Sequence, residues 1–400
     1  AAGRVKKPTP SAGNTGVPRS ELDWGYSLDL HSGNVFRFRP DGSAVEPYSW
    51  GQVNPFGLAQ DSWGNFYTAD CHSNPITQLI AGAFYPSFGK PHDGLGFAPV
   101  MCEHAHGSTG LCGVLYLDGG VWGAEWEDHM LVGNCVTSRI NHDAVRFTGA
   151  TPKAEEREDF MVSEDPWFRP VDLRLGPDGS LYVADFYNRI IGHYEVPLTH
   201  PGRDRERGRI WRIVKEGVNG LRAVNFEKRA VMERRFKGPE KSPAGAGSRM
   251  LAATAEWITM HPGEKSAWTA AVVAESLEKT AGEDASLRQT LRVALRALLQ
   301  EPGGFAGLEG MKPTAGLAAV IRTIQTPEAS AWTLNYLLNE PQADRGELRS
   351  TIASLARNLP ADGEAKLVGF VRRTFADDHG AQLELAGAIR QGLARRGGGP

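Results

Sequence analysis

One stretch of this chain occurs twice, and that limits its fold more than anything else in it. NPFGLAQDSWGNFYTADCHSNPI (54–76) aligns without gaps on RPVDLRLGPDGSLYVADFYNRII (169–191). Pro55 meets Pro170, Leu58 meets Leu173, Gly64 meets Gly179, and Tyr67-Thr68-Ala69-Asp70 meets Tyr182-Val183-Ala184-Asp185. Each copy reads as an entry strand, a tight turn at the glycine, and a second strand ending in aspartate. The interval between copies has room for two or more units of roughly 40–50 residues. Hairpins repeated in this way are what blades around an axis require, so a β-propeller is favoured over a sandwich or barrel.

The texture around the repeat agrees. VFRFRPDGS (35–43), MLVGNCVTSRI (130–140) and GRIWRIV (208–214) are further short strands between Gly- and Pro-rich turns. From about residue 246 the period changes. SLRQTLRVALRALLQ (286–300) puts Leu287, Leu291, Ala294, Leu295 and Leu298 on one helical stripe. Residues 314–325, 330–340, 345–359 and 364–375 repeat that pattern between Pro/Gly/Asp turns, as paired HEAT-like helices would. An irregular bundle is the alternative. The expected fold is therefore multidomain. An unpatterned N-terminal segment (1–30) leads into all-β blades of a partial β-propeller (31–216), then a Pro/Gly-rich linker (217–247) and an all-α, HEAT-like helical repeat domain (248–395).

Bulk composition excludes several classes of function. The chain has 400 residues, a net charge of −3 and 41% hydrophobic residues, so no overall field argues for nucleic acid. No apolar run reaches the roughly 18 residues of a spanning helix. The N-terminus has no initiator Met and no apolar leader core, and reads as a fragment or processed product. Cys71, Cys102, Cys112 and Cys135 form neither CxxC nor CxxCH. Two disulfides, for instance Cys102 to Cys112, and four buried thiols are both compatible with that count.

Three clusters could carry chemistry. In the block RDRERGR, an extended backbone would set Arg203, Arg205, Arg207 and Arg209 on one face, with Asp204 and Glu206 on the other. Such a row either laces a surface turn or grips a polyanion bidentately. In CEHAHGST (102–109), His104 and His106 point the same way on a strand and could bind a metal, act as a base near neutral pH, or form a structural pair. The strand-end acids Asp70 and Asp185 could hold a cation or cap the turn that follows, and the second role is favoured. His72, Asn188 and Arg189, which differ between the copies, are better functional candidates. Trp63, Trp122, Trp126, Trp167 and Trp211 mostly pack between blades, though one could stack on a planar ligand.

Together with YPSFGKPHDGLGFAP and LVGNCVTSRIN, the segment DPWFRPVDLRLGPDGSLYVADFYNRIIGHYEVPLTHPGRDRERGRIWRI resembles one family over residues 30–215. This is the membrane-bound dehydrogenase domain family of planctomycete-type bacteria, related to quinoprotein glucose/sorbosone dehydrogenases. The resemblance implies a periplasmic or envelope-associated dehydrogenase that oxidises a sugar or alcohol with pyrroloquinoline quinone (PQQ) and calcium. Membrane association would be only indirect. Electrons would pass to a c-type cytochrome, with haem in a domain outside this chain. His106 or His104 would be the base. Arg139, Arg169, Asn188, Arg189, Arg205, Arg207 and His72 would be the polar groups facing the cofactor. Two other readings stay open: a non-catalytic scaffold binding carbohydrate or protein at the envelope, and a lactonase-type site with Asp70, Asp185 and a histidine around a cation.

Overall fold

The structure, a computed structural model, describes residues 19–21, 27–29, 33–42, 45–71, 74–107, 110–192, 196–217, 247–264, 268–339 and 345–396. Strands come first and helices follow, in two compact units. The first unit comprises residues 1–92, 96–260 and 280–290, and the second residues 93–95, 261–279 and 291–400. Two short hairpins, β1 (Arg19–Glu21) with β2 (Ser27–Asp29) and β3 (Val35–Arg37) with β4 (Glu46–Ser49), precede three antiparallel meanders.

The first meander is β5 (Pro55–Gln60), β6 (Phe66–Asp70) and β7 (Ile76–Leu79). The second is β8 (Leu111–Leu117), β9 (His129–Asn134), β10 (Arg139–Thr148) and β11 (Thr151–Glu156), with β12 (Met161–Val162) also on β10. The third is β13 (Pro170–Leu175), β14 (Leu181–Asp185) and β15 (Arg209–Ile213).

The middle meander is apolar on both faces because it is covered on both. Along β9, Met130 and Val132 join Tyr67, Ala69 and Ile76 of the first meander, while Leu131 between them joins Leu173, Leu181 and Val183 of the third. Period-two alternation thus distributes one continuous apolar run between two cores. First strands also approach closely. A Cβ on Gly57 of β5 would stand 2.7 Å from the Cys112 carbonyl, and one on Gly113 of β8 2.4 Å from the Asp172 Cα. Only glycine lets backbones pass so near.

The duplicated segments fold alike. In both, the turn N–H of Gly64 or Gly179 donates to the carbonyl three residues back, and each glycine has positive φ, 84° and 75°. Asp70 accepts from the Asn54 N–H at 3.0 Å, and Asp185 from the equivalent Arg169 N–H at 2.8 Å. The strand-end acids therefore tie each meander's second strand to its entry loop, rather than only to the turn that follows.

The described helices are α1 (Ser248–Met260), α2 (Ala270–Lys279), α3 (Ala285–Gln300), α4 (Ala315–Ile321), α5 (Pro327–Asn339), α6 (Arg345–Asn358), α7 (Ala361–Thr374) and α8 (His379–Ala394). In the second unit, Leu334 and Leu337 of α5, Ile352 and Leu355 of α6, Leu367 and Phe370 of α7 and Leu385 of α8 share one core. The α3 stripe buries Leu287, Leu291, Ala294 and Leu295 as its spacing predicts, but Leu298 is only half-buried and Leu299 takes the buried position instead.

Helix α1 belongs to the unit of the sheets. Its Arg249 lies 3.7 Å above the Phe147 ring and 3.6 Å from both the Asp61 and Asp128 carboxylates. The start of α3 belongs there too. Asp284, just before its first turn, accepts from the Ala150 N–H at 3.0 Å and the Thr151 hydroxyl at 2.9 Å, and Thr151 Oγ1 accepts from the Ser286 N–H at 2.8 Å. The β10–β11 turn that meets Asp284 is Gly149-Ala150, with Gly149 at φ 62°. Asp284→Ala removes a helix cap and the partner of a buried N–H together. We expect it to lower stability by about 2–3 kcal/mol, read as a fall in thermal midpoint, with Asp284→Asn closer to wild type. Equal melting of wild type and Asp284→Ala would refute the clamp.

Candidate functional site

Strand pairing places the candidate residues at one end of the meanders. Pro55 pairs with Asp70, Asn134 with both Leu111 and Arg139, and Pro170 and Arg209 both with Asp185. The loops before β8 and β13 and after β6, β9 and β14 therefore emerge on the same side of their sheets.

The loop before β8 carries His104 and His106, and β10 carries Asp143 between them. Asp143 is buried, with Oδ1 2.6 Å from His104 Nε2 and Oδ2 2.8 Å from His106 Nε2. The two rings meet edge to face at 4.9 Å. Their surroundings give them different chemistry. His106 is enclosed, and its Nδ1 faces the Glu156 carboxylate at 3.3 Å. Burial pulls its pKa down, but the hydrogen bonds and charges of Asp143 and Glu156 outweigh that and raise it overall. His106 is thus held between two acids, a setting that favours its protonated form. The His104 side chain is 21% exposed. Donation from Nε2 to Asp143 leaves the Nδ1 lone pair as proton acceptor.

Cys102 closes the cluster, its Sγ 3.4 Å from His104 Nε2. Burial pushes this thiol up to about 12, so it is protonated at neutral pH. Cys102, His104 and Asp143 offer sulfur, nitrogen and oxygen donors within 4.8 Å of one another. That set suits zinc. Calcium takes hard oxygen ligands, so the cluster does not fit it.

The arginine block forms the second feature. Residues 197–208 are turns and coil, and β15 begins only at Arg209, so no extended face carries all four guanidinium groups. Residues 189–192, which lead into the block, are likewise not strand. Pro197, Pro201 and Gly202 break the run. Arg203 donates to the carbonyls of Gly192, Val196 and Pro197, and Arg205 to that of Leu198. Asp204 accepts from Arg207 Nε at 2.6 Å and from the N–H groups of Glu206 and Arg207. Arg209 bonds Asp185 and Asp165 and stacks 4.0 Å over Tyr187. Much of the block laces its own turn. Even so, Trp167, Pro201 and residues 203–207 line a groove of about 380 Å³. Its lining sets the Trp167 indole and three guanidinium groups beside the carboxylates of Asp204 and Glu206.

Arg169, buried, donates to the carbonyls of Cys135 (2.9 Å), Val136 (3.3 Å), Asn188 (2.9 Å) and Arg189 (3.0 Å) and to Ser138 Oγ (3.1 Å). Asn188, also buried, donates to the Asp204 carbonyl at 2.8 Å, which ties this hub to the groove. Two non-glycine residues with left-handed backbone, Ser138 (φ 57°) and Tyr187 (φ 47°), flank Arg169, and such strain concentrates at functional sites. Arg139 pairs with Asp159 at 2.5 Å, and the Arg189 side chain is exposed. Asp70 and Asp185 hold backbone N–H groups, as described above, and Asp185 also accepts from Trp211 Nε1. His72 lies outside the described residues. All four cysteines are free thiols, and Cys112 faces Cys135 rather than Cys102.

Sequence reasoning missed Asp143, the centre of the site. Its position in β10 offered a signal: it shares a strand face with Val145, a core residue, and a carboxylate facing a core needs partners. A second pair was missed as well. His129 Nδ1 and His142 Nε2 are 2.7 Å apart, with Trp126 stacked on His142 at 5.1 Å.

Meanders of strands with an imidazole pair held by a carboxylate of β10, followed by helices, define the class: a two-part β-then-α chain. This chain belongs to the family described as "Domain of unknown function (DUF7133)", whose profile matches residues 16–217. No curated protein matches it. Among solved structures, a glucose dehydrogenase-type oxidoreductase from Thermus thermophilus is 17% identical over 46% of this chain and 54% of its own, with a TM-score of 0.35. A second glucose dehydrogenase is 19% identical over 46% and 51%, at 0.31. The soluble aldose sugar dehydrogenase of Escherichia coli, in its apo form, is 19% identical over 37% and 46%, at 0.26. The matched region spans about half the length of these chains, and scores this low carry no inference about activity. Among the described residues, no helix is long and apolar enough to cross a membrane.

Proposed function

We propose that the meanders are blades of a propeller serving a quinone-dependent dehydrogenase of sugars or alcohols, with His104 as the base. The observation that carries this reading is the partly exposed His104 imidazole fixed by the buried Asp143 carboxylate; the arginine-lined groove is a separate feature of the same unit. His104 Nδ1 would take the hydroxyl proton of the substrate, Asp143 would stabilise the imidazolium formed, and His106 would hold the other oxygen of that carboxylate in place. Trp167, Arg205 and Arg207 would hold PQQ in the groove. Bound there, PQQ supplies the two-electron acceptor for carbinol oxidation. A c-type cytochrome as onward acceptor, calcium bound by oxygen ligands elsewhere, HEAT-like stacking of the helices and a periplasmic location complete the reading.

The test is direct. The chain is titrated with PQQ, with and without calcium, following tryptophan fluorescence, and then assayed for dye reduction with a panel of aldoses and alcohols. Expected are quenching, substrate-dependent dye reduction, and a fall of roughly 10²–10³-fold in kcat for His104→Gln with quinone affinity unchanged. Arg205→Ala with Arg207→Ala should weaken quinone binding roughly tenfold or more while the folded base remains. Bound quinone without turnover of any substrate, or full activity in His104→Gln, would overturn the assignment. The extent to which the arginine block is occupied by its own turn favours a scaffold as the second reading. Carbohydrate binding with no dye reduction would establish it.

A further inference from the structure

Three of the four cysteines lie at the strand ends that carry the site, and two of them face each other. Cys112 stands one residue into β8 and Cys135 one residue past β9, with their sulfurs 3.6 Å apart. Both are half-buried and so reach solvent. Both thiols also point at the Gly110 carbonyl, at 3.4 and 3.3 Å, so their side chains share one orientation. The Cys135 N–H donates to that same carbonyl, which fixes the two strand ends against each other. Arg169 brings a guanidinium to the Cys135 carbonyl. The hydrogen bond from Cys112 holds the Cys135 thiol below its ordinary range; burial opposes this, and the charge of Arg169 reinforces it. Cys112 moves the other way, held up by the same bond and by burial. One thiol is thus prepared to attack and its neighbour to resolve.

We propose that Cys112 and Cys135 are a redox-active dithiol that closes to a disulfide when exposed to a low-molecular-weight disulfide. The Cys135 thiolate attacks one sulfur of the oxidant, whose S–S bond breaks and whose other half leaves as a thiolate. The leaving group takes up the proton that Cys135 released. Cys112 then attacks the mixed disulfide, the second small thiol leaves with the Cys112 proton, and the Cys112–Cys135 bond forms. Two protein thiols are oxidised and one small disulfide is reduced to two thiols. Closure brings the sulfurs from 3.6 Å to about 2 Å, within the reach of a side-chain rotation. It staples the end of the loop that carries His104 to the turn that receives Arg169. This inference is independent of the reaction proposed above.

The test uses the folded chain equilibrated with glutathione buffers of rising oxidised fraction, followed by alkylation, digestion and mass spectrometry. The expected product is one peptide pair joined through Cys112 and Cys135, with Cys102 still alkylated. Cys112→Ser should stop at a glutathione adduct on Cys135, and Cys135→Ser should leave Cys112 largely unmodified. A full complement of free thiols in the most oxidised buffer, or a link made through Cys71, would overturn the proposal. So would equal adduct yields in the two variants.

Discussion

Replacing Asp143 by alanine is expected to cost about 3–5 kcal/mol, the range for removing one partner of a buried ion pair. For a unit of this size that is a fall in melting temperature of roughly 10 °C or more. The cost is high because the carboxylate serves two imidazoles at once, at 2.6 and 2.8 Å, and its loss leaves His106 enclosed with Glu156 alone. A pH signature should accompany the fall. The folded-state pKa of His106 is raised, so the native state binds more protons than the unfolded chain between the unfolded value, about 6.5, and the higher folded one. The stability it contributes is fully present below about 6.5 and fades as pH rises through the folded value. Asp143→Ala should flatten that part of the profile. The His129–His142 pair works in the opposite sense. Burial leads the causes that lower both values, so its contribution is present above the ordinary imidazole range and lost as pH falls. Asp143→Asn, which keeps the shape without the charge, should fall between. An alanine variant that melts with wild type, at unchanged pH slope, would remove Asp143 from the centre of the site.

These residues also show what a sequence makes legible. The equivalence of Asp70 and Asp185 could be read because both act within one hairpin: the turn glycine, the alternation and the capping acid all lie close together in the chain. The helical stripe of α3 was readable for the same reason. Asp143 was not, because its partners come from a loop far back along the chain, and nothing in INHDAVRF says what faces it. The two histidines could be read as a pair from their spacing, although they lie on a loop and not on the strand that spacing assumed; what separates them is the Glu156 carboxylate facing His106, and Glu156 lies on another strand.

The arginine block illustrates a different limit. Alternation predicts a shared face only if the backbone is extended, and Pro197, Pro201 and Gly202 fold it into turns instead. Once turned, Asp204 becomes a local acceptor for the N–H groups that follow it, and alternating charge resolves into bonds within the loop. The groove left over is lined by what remains of the row.

Arg169→Met should have the other large effect, because this side chain holds two loops together and, through Asn188, the wall of the groove. Its guanidinium spans the turn after β9 and the loop after β14, giving donors to four backbone carbonyls and to Ser138. Methionine fills similar volume but supplies no donor, so the acceptors on buried Asn188 and Ser138 lose a partner at roughly 1–3 kcal/mol each, and the more exposed carbonyls of Cys135, Val136 and Arg189 at less. A total of about 3–5 kcal/mol allows for water entering the gap. Loss should be local before it is global. Asn188, which holds Asp204 and through it the groove, is positioned by the Arg169 bond to its carbonyl. Amide exchange should therefore accelerate first across 186–192 and 196–208, and quinone affinity should fall even where the meanders stay folded. Lysine is not expected to rescue, since one ammonium cannot reach acceptors spread over two loops. Arg169→Lys with wild-type exchange and wild-type binding would show that charge alone, not the fork of donors, holds these loops together.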